Sequence, residues 1–348
     1  MNQIIKNDVE EIISQLNEFE RFRGKTVLIT GASGMLAAYI VETLIYLNCI
    51  HENFNVKVIA IVRNKVKAQK RFNHLLGNIK LTILEHDVCN EFNSTEKIDY
   101  IFHAASNASP KYFGADPVGT LNANILGTIN LIKLAHKHNV ESFLFFSSGE
   151  VYGEVNEKDI PINEETFGYL NPTKVRSCYA ESKRMGESIC ISWFHQFGVK
   201  VKIVRPFHTY GPGMLLNDGR VFADFIADVV FQRNIQIKSD GSAIRPYCYI
   251  VDATVGFFLI MLNGKNGEAY NVGNPMAELS VKALAELLVS IFPERKLKVQ
   301  FGGHVKDKNY LQSPISRNSP DISKISKLKW EPKILPKEGF RRTILSFL

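Results

Sequence analysis

Residues 25–30 (KTVLIT) run directly into TGASGMLAAYIVETLIYLN. An apolar run of strand length, a glycine turn and a long apolar helix, in that order, leave few architectures open. Gly31, Gly34 and Ala37 fall in a G-x-x-G-x-x-A spacing. The first glycine permits a tight turn, the second lets backbone amides approach a pyrophosphate, and the small third residue lets helix and strand pack closely. A phosphate then sits on the amides of the helix N-terminus. Glycine spacing alone is weak evidence, but a place between strand and helix is the context it needs. Gly31, Ser33, Gly34 and Met35 are therefore the expected contacts of a dinucleotide.

The same unit recurs. Residues 56–62 (VKVIAIV), 81–84 (LTIL), 100–105 (YIFHAA), 143–147 and 199–204 (VKVKIV) read as strands. Helical stretches separate them, among them 123–138 and the segment carrying SCYAESKRMGE (177–187). This alternation predicts an α/β fold, a Rossmann-like doubly wound parallel sheet. After Arg205 the texture changes to RPFHTYGPGM, a loop, followed by a helix over 221–231 and a short strand over 235–238. These predict a smaller C-terminal substrate lobe. The expected organisation is a helical extension (1–24), a dinucleotide-binding domain (25–205) and a mainly substrate-binding lobe (206–348), with a segment near 246–275 returning to the first domain. In the extension, Ile5, Val9, Ile12, Ile13 and Leu16 mark one helix face and carry no visible chemistry.

Tyr179 and Lys183 are four apart. On a helix they lie one turn apart on one face. The ammonium is expected to favour phenolate and draw the Tyr179 pKa down toward working pH. Ser148 ends the stretch LFFSS, and its hydroxyl can hold a substrate oxygen while Tyr179 takes or returns that oxygen's proton. Removing that proton is half of an alcohol oxidation, and the hydride needs a cofactor because side chains do not accept it. Tyr-x-x-x-Lys by itself fits any amphipathic helix, so its meaning comes from the dinucleotide turn.

An acid commonly ends the second strand where a cofactor has a free ribose hydroxyl. Here that end carries Arg63 and Asn64. Arg63 suits a ribose phosphate, so the expected cofactor is NAD(P), with NADP ahead of NAD. Asp87 and Val88 are expected near the adenine, and Ala104 and Ala105 are small residues turned toward the cofactor. His103 reads as a core histidine at a strand end.

Composition narrows the partners. The net charge of +7 is spread along the chain, with a modest excess after Glu294 that includes Lys306 and Lys308. No basic helix with interleaved aromatics is present, so nucleic acid is not expected. No apolar run is long enough for a bilayer, and the polar N-terminus is unlike a secretory signal. Five dispersed cysteines without C-x-x-C spacing point to reduced thiols, a cytoplasmic location and no metal site.

Further stretches carry a resemblance: HAASNASP (103–110), NPTKVRSCYAESKR (171–184), FHTYGPGM (207–214), NDGRVFADFI (217–226), YNVGNP (270–275) and SPDISKISKLKWEPK (319–333). Together with the features above, the chain resembles the extended short-chain dehydrogenase/reductase family of nucleotide-sugar epimerases, dehydratases and decarboxylases. Within it, the UDP-glucuronate decarboxylases are the nearest branch. The resemblance implies a nucleotide-diphosphate sugar as substrate, transient oxidation at its carbon 4, a homodimer and a role in polysaccharide precursor synthesis. It implies Tyr179 as base, Lys183 as the residue that lowers its pKa and holds the nicotinamide ribose, Ser148 as the group that orients the sugar hydroxyl, and Glu150 as the acid beside the active serine, with Tyr179 and Lys183 both in contact with the cofactor. Ser106, Asn124, His208, Arg220 and Arg245 become substrate contacts, with Arg245 on the diphosphate.

The chain also departs from the family pattern. Gly149 stands where dehydratases carry Asp and decarboxylases Ser, Gly119 replaces a usual Lys, and His208 replaces Asn before T-Y-G-P. Arg63 replaces the acid of enzymes that keep NAD bound. Three readings stay open: an epimerase- or decarboxylase-like enzyme with internal hydride recycling, a one-way NADPH-dependent reductase of a keto sugar, and an inactive dinucleotide-binding regulatory module.

Overall fold

The computed structural model describes residues 1–302 and 315–348; Lys306 and Lys308 lie outside them. Seven strands form one parallel sheet: β1 (Thr26–Thr30), β2 (Lys57–Val62), β3 (Leu81–Glu85), β4 (Tyr100–His103), β5 (Ser142–Phe146), β6 (Val201–Pro206) and β7 (Ala269–Val272). Their order across the sheet is β7-β6-β5-β4-β1-β2-β3. The chain winds one way from β1 to β3 and the other way from β4 to β7. The crevice between β1 and β4 is thus the switch point, where ligands bind at the strand C-termini.

Helices cover both faces. The helices that precede β7 are α1 (Gln3–Ser14), α2 (Met35–Ile50), α3 (Lys65–Arg71), α4 (Pro110–Ala115), α5 (Pro117–His138), α6 (Cys178–Phe197), α7 (Val221–Val230) and α8 (Ile250–Asn263), of which α7 packs on the helix Val281–Ile291 and the short strand Ile235–Ile237 and not on the sheet. One core packs α1, α2 and α8 on the sheet through residues such as Ile12, Ile40, Val58, Phe102 and Phe258. The other packs α5 and α6 through Leu131, Ile132, Phe143, Phe145 and Cys190. Parallel strands covered on both faces are buried along their whole length, as β1 is at all five positions, with Val27, Leu28 and Ile29 as its apolar centre.

Two elements differ from the sequence expectation. Helix α5 starts six residues before 123, because Asp116 caps it by accepting from the Gly119 amide and Pro117 suits the first turn. Strand β7, only four residues long, was not expected as a strand; it pairs with β6 in the register Ala269↔Ile203 to Val272↔Pro206. Among the described residues no helix is long and apolar enough to cross a membrane.

The N-terminal helix is tied down by a buried acid. Asp8 is fully enclosed, and the Tyr39 and Tyr249 hydroxyls donate to its Oδ2 at 2.7 and 2.8 Å. Arg342 donates to Oδ1 at 3.2 Å. Burial outweighs these contacts and raises the carboxyl from 3.8 to about 6. The folded state therefore holds this proton more tightly than the unfolded chain. Its contribution is complete at low pH and is lost as pH climbs through the folded value. The loss between those two values is expected to be roughly 3 kcal/mol. Denaturant melts across that range are expected to show Asp8→Asn flattening the slope; an unchanged slope would assign it to other groups.

Candidate active site

All the elements that carry expected site residues end at one cleft of about 2120 Å³ above the switch point. That exceeds the roughly 300–1,000 Å³ of a typical single-ligand pocket, so there is room for two ligands side by side. Gly31, Ser33, Gly34, Met35, Arg63, Asp87, Val88, Ala104, Ala105, Ser106, Ser148, Glu150, Tyr179, Lys183, His208, Arg220 and Arg245 all line it. Asn124 does not. It is wholly buried between α5 and α6, donating to Ser182 Oγ at 2.9 Å. Its expected substrate contact is corrected: the Asn124 amide turns toward α6 and away from the cleft.

Gly31 follows β1 with φ +64°, and a Cβ there would lie 2.8 Å from Ala105 Cα and 2.9 Å from Ala104 O. Only glycine fits both the backbone angle and the approach. The turn delivers Gly34 as the N-cap of α2, whose first amides have no intrahelical acceptors. The cradle therefore fits a dinucleotide pyrophosphate. Beneath it, His103 bridges Thr30 and Thr128 at 2.8 and 3.2 Å, and burial lowers its pKa to about 3. It is a neutral core histidine, as its strand-end position suggested.

At the end of β2, Arg63 donates to Asn107 Oδ1 at 2.7 Å. Lys67 and Lys70 also line the cleft. Asp87 accepts from the Cys89 amide, and this bond, with Arg63 nearby, holds its carboxyl below the usual range.

At the reacting end, Ser148 caps the short turn Gly149–Tyr152 and accepts from the Glu150 amide at 3.1 Å. Tyr179, in the first turn of α6, is held by a stack on Phe113, with centroids 4.9 Å apart and planes at 17°. Burial raises its phenol pKa; a hydrogen bond with Ser148 and the charges of Arg220 and Arg176 oppose this. Lys183, expected to pull it down, is not among the largest influences on it. Lys183 Nζ lies 5.9 Å from the Tyr179 ring centroid and donates to Phe146 O at 2.6 Å. Burial also lowers its own pKa to about 7, which weakens it as a source of positive charge.

Glu150 is paired with Arg176 at 3.0 Å, and the Arg176 guanidinium lies 4.9 Å from the Phe113 centroid. Sequence reasoning missed Arg176, although it stands three residues before Tyr179, and it missed Phe113, for which no local signal exists. The two glycine departures have visible neighbours. A Cβ on Gly149 would stand 3.0 Å from the Phe207 ring, and one on Gly119 would stand on the Asp116 carboxylate.

Arg220 donates to Ala108 O at 3.0 Å and pairs with Asp218 at 3.2 Å. Arg245 donates to the carbonyls of Ile244, Ile315 and Ser316 at 2.7–2.9 Å. Among the described residues, eight buried polar side-chain atoms lack a partner. Five of them, on Ser106, Arg176, His208, Tyr247 and Asn318, belong to the cleft wall. Buried polar groups are otherwise almost always paired, so this concentration marks a wall built to receive polar ligands.

The profile of the NAD dependent epimerase/dehydratase family matches residues 27–273. UDP-glucuronic acid decarboxylase 1 of Arabidopsis thaliana is 32% identical over 322 residues, 92% of this chain and 69% of that protein. UDP-glucuronic acid decarboxylase 1 of Xenopus tropicalis is 33% identical over 325 residues, 93% and 72% of the two chains. UDP-glucose 4-epimerase of Thermotoga maritima, solved with UDP-glucose, superposes with a TM-score of 0.78 at 25% identity, over 92% of this chain and 98% of that one. With the glycine cradle, the parallel sheet and the Ser148–Tyr179–Lys183 cluster, these place the chain in the NAD dependent epimerase/dehydratase family, as an extended short-chain dehydrogenase/reductase acting on nucleotide sugars.

Proposed function

We propose that the chain transiently oxidises carbon 4 of a nucleotide-diphosphate sugar and recycles its dinucleotide in place. The observation that carries this reading is the meeting of Ser148, Tyr179 and the glycine cradle in one cleft with room for two ligands. Bound NAD(P) supplies the hydride acceptor. Ser148 orients the sugar hydroxyl, Tyr179 takes its proton, and Lys183 fixes the floor beneath them. Glu150, held by Arg176, is the remaining carboxylate beside Ser148 and handles a proton once a 4-keto sugar has acidified its neighbouring carbon. Arg220, Arg245, His208 and Ser106 bind the substrate. Gly149 leaves no proton donor of its own for a leaving hydroxyl, which favours epimerisation or decarboxylation over elimination.

A second reading has its own support. Arg63, Lys67 and Lys70 surround the adenosine end, and the end of β2 offers Arg63 and Asn64 in place of an acid. That favours NADP and a one-way reduction of a nucleotide-linked keto sugar. Intact Ser148, Tyr179 and Lys183 disfavour an inactive regulatory module. We read residues 25–205 as the dinucleotide-binding domain and 206–348 as mainly the substrate lobe. Leu126 on α5, and Met185, Ile191 and Phe197 on α6, are exposed apolar residues that suit a homodimer through this helix pair. Five free cysteines suit a cytoplasmic setting, and the family resemblance suits a supplier of polysaccharide precursors.

Purification without added cofactor, denaturation and chromatography of the released dinucleotide test the proposal. Near-stoichiometric NAD or NADH is expected. An empty protein that prefers NADPH would replace the recycling reading with the reductase, and a chain that binds no dinucleotide would end both.

A further inference from the structure

Two of the unpartnered groups in the cleft wall are neighbours. Tyr247 is fully buried, and its hydroxyl meets no acceptor. His208 Nδ1 is likewise buried and unpartnered. The ring centroids lie 6.2 Å apart at 71°. Neither ring is free to turn away. Tyr210, Phe222 and Phe340 stand edge-on around Tyr247 at 5.6–6.3 Å. His208 sits in the strand pairing of Thr209–Tyr210 with Cys248–Tyr249, its carbonyl accepting from the Cys248 amide at 3.2 Å.

A fixed buried hydroxyl without a partner costs stability in the free protein. Retaining it makes physical sense where a ligand atom completes the bond. The charges that act on this corner are cationic: Arg245 and Arg220 on His208, and Arg245 on Tyr247. The same charges, with burial, keep the imidazole neutral, so it adds a hydrogen bond without adding charge. Two guanidinium groups, one of them paired with Asp218, beside neutral donors suit an anionic oxygen.

We propose that the Tyr247 hydroxyl and the His208 imidazole donate to diphosphate oxygens of the nucleotide sugar, completing a receptor whose charge comes from Arg220 and Arg245. This rests on the nucleotide-sugar reading above and adds Tyr247 to the binding residues. The two donors fix the diphosphate by direction, whereas the arginines, already held by backbone carbonyls, attract it by charge.

The test is calorimetric titration of the full chain with UDP, dTDP, CDP, GDP and ADP, then with the glucose conjugate of the tightest binder. Tyr247→Phe is expected to weaken the diphosphate about tenfold, the size of one hydrogen bond to a charged group. The conjugate is expected to lose the same factor, and His208→Asn to weaken both in the same direction. Tyr247→Phe is also expected to raise the melting temperature of the ligand-free protein, a gain that a purely structural hydroxyl would not give. Released dinucleotide should be unchanged. Affinity within twofold of the parent would overturn the assignment, as would a loss confined to the conjugate, which would put the hydroxyl on the sugar. Either result leaves the nucleotide-sugar reading standing if the parent binds. A parent that binds none of the five diphosphates would overturn both.

Discussion

Replacing Tyr179 by Phe is expected to lower turnover about 10³-fold while the protein stays folded and keeps its dinucleotide affinity. The variant loses one hydroxyl and nothing else. The ring keeps its stack on Phe113, and Lys183 keeps its bond to Phe146 O, which does not involve the phenol. Steady-state rates and dinucleotide titration on the same preparation separate the two effects. Loss of both together would mean that the phenol is structural. The pH profile gives a second check. Burial holds the phenol protonated above its ordinary range. The oxidative half-reaction needs the phenolate, so its rate is expected to rise with pH, and that limb is expected to vanish in Tyr179→Phe.

The second large effect is on stability. Arg205 makes a two-pronged pair with Glu187, at 2.9 and 2.6 Å. The same guanidinium donates to Tyr152 Oη and Glu164 O, both at 2.9 Å. Ser147 donates to Glu187, and Tyr152 donates to Asn271 on β7 at 2.6 Å. One buried network thus fixes β6, α6, β7 and the residue next to Ser148. Glu187→Ala leaves the guanidinium buried and unpaired, and the expected loss is about 3–5 kcal/mol in urea melts. Replacing both partners, Arg205→Met with Glu187→Leu, is expected to recover most of it, because neither member of the pair is left as an unpaired buried charge. Equal losses in the single and double variants would show that shape, not charge, holds this corner.

The sequence carried the sheet because parallel strands announce themselves as apolar runs, and their ends were legible within a residue or two. Strand β7 was too short to stand out. The reacting cluster was legible because Tyr179, Lys183 and Ser148 bear chemistry at recognisable spacing. What spacing could not convey was direction. Asn124 occupies an expected helix position, but whether it faces the cleft or α6 depends on how α5 is rotated. The Tyr179–Lys183 pair shows the same limit, since four residues of separation place two groups on one face without saying which is buried deeper. Desolvation decides both pKa values here, and burial is a property of the fold. Phe113 and Tyr247 are apolar or aromatic residues among many, and only their neighbours distinguish them. Glu187, one turn beyond Lys183, had a helical signal that went unread.

The position of β7 has a consequence for synthesis. Strand β6 ends at Pro206, and the strand that covers its outer edge begins 63 residues later, at Ala269. At roughly 5–20 residues per second, a ribosome leaves that edge unpaired for about 3–13 s. An open edge on a hydrophobic parallel sheet is a template for pairing with other chains. The nascent protein is therefore most exposed to misassembly after the first six strands of its sheet have been made, and a chaperone that shields strand edges would act in that interval.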